Sequence, residues 1–266
     1  MEQLGISAVH PTAPEMLTAV AIYRAPIDLE AAVARISQIW AVDIAPEWVN
    51  DNQIYTFRLQ GVQVLISAVN RPVVLQRGQL PAHEFHLALS FYAPLDGLAE
   101  GTLAEEKPLE GPNSTELMRR HRMVSASIVY TQVVDALLRE EAAIGVYRDE
   151  LGVLHPPHMV AKVGEALTRG QIPLPLWVNV RIGDGETNRG RTLGLPIFGH
   201  LDLEIVESTR SLKELFETLN AVSNYIVTGD AYLLPGQTVG FTPTDTLEIS
   251  QDVSLSDGAS VIRIDF

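Results

Sequence analysis

His200, Asp202 and Glu204 stand two apart, and a strand points residues i, i+2 and i+4 to one face, leaving Leu201, Leu203 and Ile205 on the other. An imidazole with two carboxylates can ligate a divalent cation and, through it, activate water for hydrolysis. The plainer reading is a half-exposed strand whose polar side meets water. No second histidine or carboxylate sits beside the set at metal-motif spacing, so any further ligand would have to come from distant sequence. These three residues are the candidate metal ligands of a metal-dependent, hydrolase-type enzyme, the alternative to a non-catalytic role. No cofactor is expected.

The other reactive side chains are less suggestive. His83 and His86 are three apart and would point to opposite faces of a strand, while His155 and His158 bracket Pro156-Pro157 at a helix entrance, where imidazoles commonly cap or lie exposed. Ser90, Ser125 and Ser127 lack the flanking glycines of a nucleophile elbow. The run from Gly183 to Gly190 is glycine-rich but has no lysine and Ser/Thr ending, and Asp184 and Glu186 within it would repel phosphate. It reads as a polar connection able to touch a partner. Arg119-Arg120-His121-Arg122 is a basic cluster early on a helix, where the macrodipole disfavours positive charge. Trp40, Trp48 and Trp177 are core or core-edge anchors.

Composition narrows the setting. Acidic side chains outnumber basic ones by 33 to 19, a formal charge of -14, which repels nucleic-acid backbones and favours a basic protein partner. There are no cysteines, which excludes disulfides, thiolate catalysis and iron–sulfur clusters. The opening residues, with Pro11 and Pro14, show no signal-peptide pattern, and no apolar run approaches bilayer-spanning length. A cytoplasmic protein that engages neither membrane nor nucleic acid is expected.

The elements that would position these groups follow from periodicity. Asp28 caps a helix with Leu29, Val33, Ile36 and Trp40 on its apolar face, and Ile54–Leu59, Gln60-Gly61 and Val62–Val69 read as a hairpin. A further strand is expected at His83–Tyr92 and one long helix at Ser114–Glu141, with Leu117, His121, Val124, Ile128, Gln132 and Asp135 on one face. Strands are expected at Ala143–Arg148, Leu174–Ile182, Leu201–Val206, Gly236–Phe241, Leu247–Val253 and Val261–Phe266, with helices at Pro157–Thr168 and Ser211–Val227. Hairpins mixed with crossovers imply an α+β fold of mixed, mainly antiparallel sheets packed by helices. Residues 1–17 are expected to form a flexible N-terminal segment and 18–266 a single α+β unit. Its candidate halves, 18–94 and 114–266, are joined by the acidic loop 95–113.

Several stretches carry a family resemblance: Ile27-Asp28-Leu29, Gln132 through Leu138, Gly145-Val146-Tyr147, Leu174 through Val178, Gly199 through Glu204, and Asp265-Phe266. Together the chain resembles the bacterial domain-of-unknown-function family 4261, from about Thr18 to Phe266 and most strongly after Tyr130, with Leu95–Asn113 reading as an insertion. The resemblance implies an α+β fold, a bacterial cytosolic setting and a context of secretion and immunity functions. It carries over no catalytic residue. The leading expectation is a non-catalytic, immunity-like or regulatory factor whose acidic residues Glu100, Glu105, Glu106, Glu110, Asp184 and Glu186 meet a basic partner. A structural module of a larger assembly is a third reading.

Overall fold

The computed structural model describes residues 14–51, 53–75, 78–94, 114–242 and 245–266. The segment 1–13 and the acidic loop 95–113 lie outside the described residues, and with the latter go Glu100, Glu105, Glu106 and Glu110. Two mostly antiparallel sheets and five helices among the described residues make this an α+β protein. The chain divides into two compact units. Described residues 15–94 and 122–176 form one, and 14, 114–121 and 177–266 form the other.

The first unit is built on a seven-stranded sheet. Its strands are β1 (Met16–Tyr23), β2 (Glu47–Val49), β3 (Ile54–Leu59), β4 (Val62–Val69), β5 (Phe85–Tyr92), β6 (Ala143–Arg148) and β7 (Val153–His155), in the order β2-β3-β4-β5-β1-β6-β7. All its pairings are antiparallel. Alternation drives the burial: Phe85, Leu87, Leu89 and Phe91 of β5 and Val62, Val64 and Ile66 of β4 are buried while their neighbours are half-exposed. Gln60 and Gly61 both have positive φ, 49° and 79°, the signature of a type I′ turn between β3 and β4. Helix α1 (Leu29–Trp40) begins where expected, the Asp28 carboxylate accepting from the Ala31 amide at 3.0 Å.

Helix α2 (Ser114–Leu137) is shorter than the expected Ser114–Glu141 and differs in character. Every residue from Val129 to Leu138 is buried, on all sides of the helix, whereas His121 is exposed and Val124 and Ile128 are only half-buried. A helix enclosed all round shows no amphipathic stripe, so periodicity could not name its core face. Within this unit Tyr23 donates its hydroxyl to the Leu137 carbonyl, and Phe91 packs edge-on against Tyr130. Helix α3 (Pro157–Thr168) matches the expected range and crosses α2 closely, a Cβ at Gly164 falling 3.1 Å from Asp135 Cγ. Leu174–Trp177, expected to open a strand, is instead a single helical turn, α4, in which Pro175 needs no amide donor.

The second unit carries a six-stranded sheet of β8 (Asn179–Gly183), β9 (Asn188–Leu193), β10 (Asp202–Ser208), β11 (Thr238–Thr242), β12 (Asp245–Val253) and β13 (Ser260–Asp265). The order is β11-β12-β13-β10-β9-β8, with β10 and β13 parallel. Part of the expected 183–190 connection is strand, leaving 184–187 as the turn. Helix α5 (Leu212–Thr228) starts on a capping box in which Ser211 and Glu214 satisfy each other's backbone amides. Leu215, Leu219, Val222 and Ile226 are among its buried side chains. Gly190 admits the helix to the sheet: a Cβ there would sit 2.7 Å from Leu219 Cδ1. No described helix is long and apolar enough to cross a membrane.

Candidate functional site

Strand register places four charges in one row. Arg181 of β8 stands opposite Arg191 of β9, Arg191 opposite Glu204 of β10, and Glu204 beside Arg263 of β13. Directly opposed residues share a sheet face, so these side chains are neighbours. Two arginines facing each other repel, and acids answer the charge. Arg191 Nη1 donates to Asp257 Oδ1 at 2.8 Å, to Ser254 Oγ at 2.7 Å and to the Ser256 hydroxyl. Glu204, 5% exposed, accepts from Ser254 Oγ at 2.6 Å and from Arg263 Nη2 at 3.3 Å. Arg263 also pairs with Asp252.

Over this row lies a cleft of about 510 Å³. Arg181, Arg189 and Arg191 supply its cations, with Glu204 at its wall and Asp257 on the β12–β13 turn. Ile182, Leu193, Val206 and Leu255 give it apolar lining. Arg181 and Arg189 are exposed, whereas Arg191 is half-buried and held by three acceptors. Gly258, φ +74°, closes the turn that carries Asp257, whose Oδ1 also accepts from the Ala259 amide. The Arg191 partnership holds the Asp257 carboxyl below its ordinary range. Chemically the arrangement offers oriented guanidinium donors beside apolar walls.

Of the sequence candidates, Glu204 stands at the wall of this cleft, and His200 and Asp202 lie elsewhere in the same unit. His200 precedes β10 and is fully buried, its Nδ1–H donating to the Leu201 carbonyl at 2.6 Å and its Nε2 accepting from the Leu233 amide at 3.1 Å. Both nitrogens are engaged, and the ring stacks on Tyr232. Burial pushes its pKa down to about 4. Asp202 is buried too, Oδ1 accepting from Thr192 Oγ1 at 3.0 Å and from the Leu195 amide at 3.1 Å. Loss of solvent pushes its carboxyl up to about 7. Asp202 and Glu204 share the strand as expected, but the water-facing polar side does not exist: all three groups are inside. Among the described residues, no group of three or more His, Asp and Glu is placed to hold a metal ion. Asp184 and Glu186 are exposed on the β8–β9 turn.

Sequence reasoning also missed what the basic cluster does. Arg120 is 0% exposed; Nε donates to the Phe198 carbonyl at 2.9 Å, and Nη1 to Ile226 and Ala231 at 3.0 and 2.7 Å. Ile226 lies in the last turn of α5, so Arg120 places a cation on that helix's unsatisfied, negative end. Its guanidinium lies 4.0 Å from the Tyr232 ring centroid. Arg120 shares a helix side with Met123, Ser127, Tyr130 and Val134, but a helix without an amphipathic stripe gave no sign that this side is covered. In the other unit Arg122 donates to the Ala93 carbonyl, and fully buried Arg148 spans Glu150 and the Leu176 carbonyl. These three buried arginines donate to acceptors inside the fold.

Residues 191–265 match the family described as domain of unknown function (DUF4261). The match starts on Arg191 of the cleft and runs through β13, taking in Glu204 and Asp257. Of the motifs that suggested the resemblance, Gly199–Glu204 and Asp265 fall inside the DUF4261 stretch, and those before Arg191 fall outside it. Among curated proteins and solved structures nothing matches the chain.

Proposed function

We propose that the protein is a non-catalytic binding factor, regulatory or immunity-like in role, whose recognition surface is the β8–β9 end of the six-stranded sheet. The observation that carries this reading is a contrast within one unit. His200, Asp202 and Glu204 have their polar atoms committed to internal partners, whereas Arg189 at the cleft and Asp184 and Glu186 on the β8–β9 turn are exposed. Committed buried groups cannot turn to a substrate without leaving donors or acceptors unsatisfied, at a cost of about 1–3 kcal/mol each. Exposed charges on a sheet end carry no such cost, and they steer a partner by complementarity. Asp184 and Glu186 suit the basic partner that the net charge favours; Arg189 suits an anionic group.

Thermal melting of the purified protein in size-separated fractions of host extract tests this, because anything that binds the native state raises the midpoint. One fraction should raise it, less so as salt is added, and reversal of the turn acids (Asp184→Lys with Glu186→Lys) or of the cleft (Arg189→Glu) should abolish the rise. No active fraction, or a rise that survives both reversals, defeats the reading.

A further inference from the structure

We infer that the cleft over Arg191 is a binding site for a small amphiphilic anion: a carboxylate or phosphate group carried on a short apolar body. This rests on the recognition surface proposed above and names what that surface takes. Size comes first. A space of about 510 Å³ falls within the range of small-molecule sites.

Charge comes second. Three guanidinium groups line the cleft against two carboxylates, and each carboxylate already has a cation of its own, Glu204 in Arg263 and Asp257 in Arg191. Arg191 is fixed in place by the Ser254, Ser256 and Asp257 acceptors, so the exposed Arg189 is the group that meets the incoming oxyanion. A guanidinium fork presents paired donors that match carboxylate and phosphate alike.

The apolar walls decide against a bare inorganic ion. Leu255, 83% exposed, and the half-buried Leu193 line the cleft together with the arginines. Covering them gains hydrophobic energy only if the anion brings an apolar body. The charge of the whole chain decides against a large polyanion. At -14 the protein repels a nucleic acid or an acidic protein over its entire surface, whereas a mono- or dianion meets mainly the local arginine field within a screening length of about 8 Å.

The probes are butanoate, hexanoate, octanoate and hexyl phosphate, with hexylammonium and inorganic phosphate as controls, read by calorimetry and by backbone amide shifts. The anions should shift amides at 181–191 and 255–257, with affinity rising roughly fourfold per methylene buried. Comparing hexyl phosphate with hexanoate identifies the preferred headgroup. Arg189→Ala should weaken every alkyl anion by about tenfold. Leu255→Ser should flatten the dependence on chain length while leaving butanoate binding almost unchanged. Both residues are exposed, so neither change disturbs the core.

Equal binding of hexylammonium, or inorganic phosphate binding as tightly as hexyl phosphate, overturns the inference. If host extract raises the melting midpoint and none of the alkyl anions binds, the ligand class is wrong and the binding surface stands. If extract and anions are both silent, both fall.

Discussion

Arg191 and Glu204 face each other across β9 and β10 and share one hydroxyl: Arg191 Nη1 donates to Ser254 Oγ at 2.7 Å, and Ser254 Oγ donates to Glu204 Oε1 at 2.6 Å. The serine relays a contact between the two charges and ties the β12–β13 turn to the strands beneath it. The cleft therefore has a floor that is fixed before any ligand arrives.

Glu204→Gln should lower stability by about 2 kcal/mol, because Arg263 and Ser254 would each lose a charged acceptor in a buried place. Urea denaturation measures it. Ser254→Ala should show part of the same loss, and the double variant should fall short of the sum, since both changes break one network.

Arg120→Met should cost about 3 kcal/mol, as two buried carbonyls and a part-buried one lose their donor together. Arg120→Lys should recover only part, because an ammonium has no planar fork to span Phe198, Ile226 and Ala231. A variant as stable as the parent by chemical denaturation would show that water serves these carbonyls equally well.

Stability should rise with pH between about 4 and 6.5. His200 and His155 are both pushed down from 6.5 to about 4 by burial, so the unfolded chain takes protons that the native state refuses, and their stabilisation is lost as pH falls through this window. Asp202, pushed up to about 7, acts in the opposite sense: its contribution is present at low pH and fades as pH rises towards 7. Two groups against one leave a net slope of about 1.4 kcal/mol per pH unit. Urea midpoints across the window should follow it, and Asp202→Asn should steepen the slope. A flat profile from 4 to 6.5 would refute the assignment of neutral buried imidazoles.

Gly145→Ala should destabilise by about 1–3 kcal/mol through overpacking alone, since a Cβ there lies 2.5 Å from the His155 carbonyl oxygen on the adjoining β7. Backbone oxygen cannot swing aside as a side chain can. Gly170→Ala, where a Cβ would meet nothing but φ is +74°, separates strain from crowding in the same denaturation assay.

Much of the fold was legible, and the reasons are local. The β3–β4 hairpin, α1 behind Asp28, β6 and α3 appear where periodicity and punctuation put them, because a turn or a cap is completed within a few residues. The Leu174–Ile182 stretch misled for the same reason: two prolines suit a strand start and a helix start equally, and only packing chose. The His200–Asp202–Glu204 spacing was real for the two acids on β10, but spacing carries no information about which face is covered.

Sequence alone determined the class of this protein: an α+β chain without thiol chemistry, strongly acidic, whose strands and helices follow from the two-residue and 3.6-residue periods of side-chain direction. Tertiary structure alone decided which charges work inside and which meet solvent. Arg120 finds its acceptors at 198, 226 and 231, and Glu204 its donors at 254 and 263. Burial is a property of what packs against a residue, and those neighbours come from chain positions that no local pattern relates.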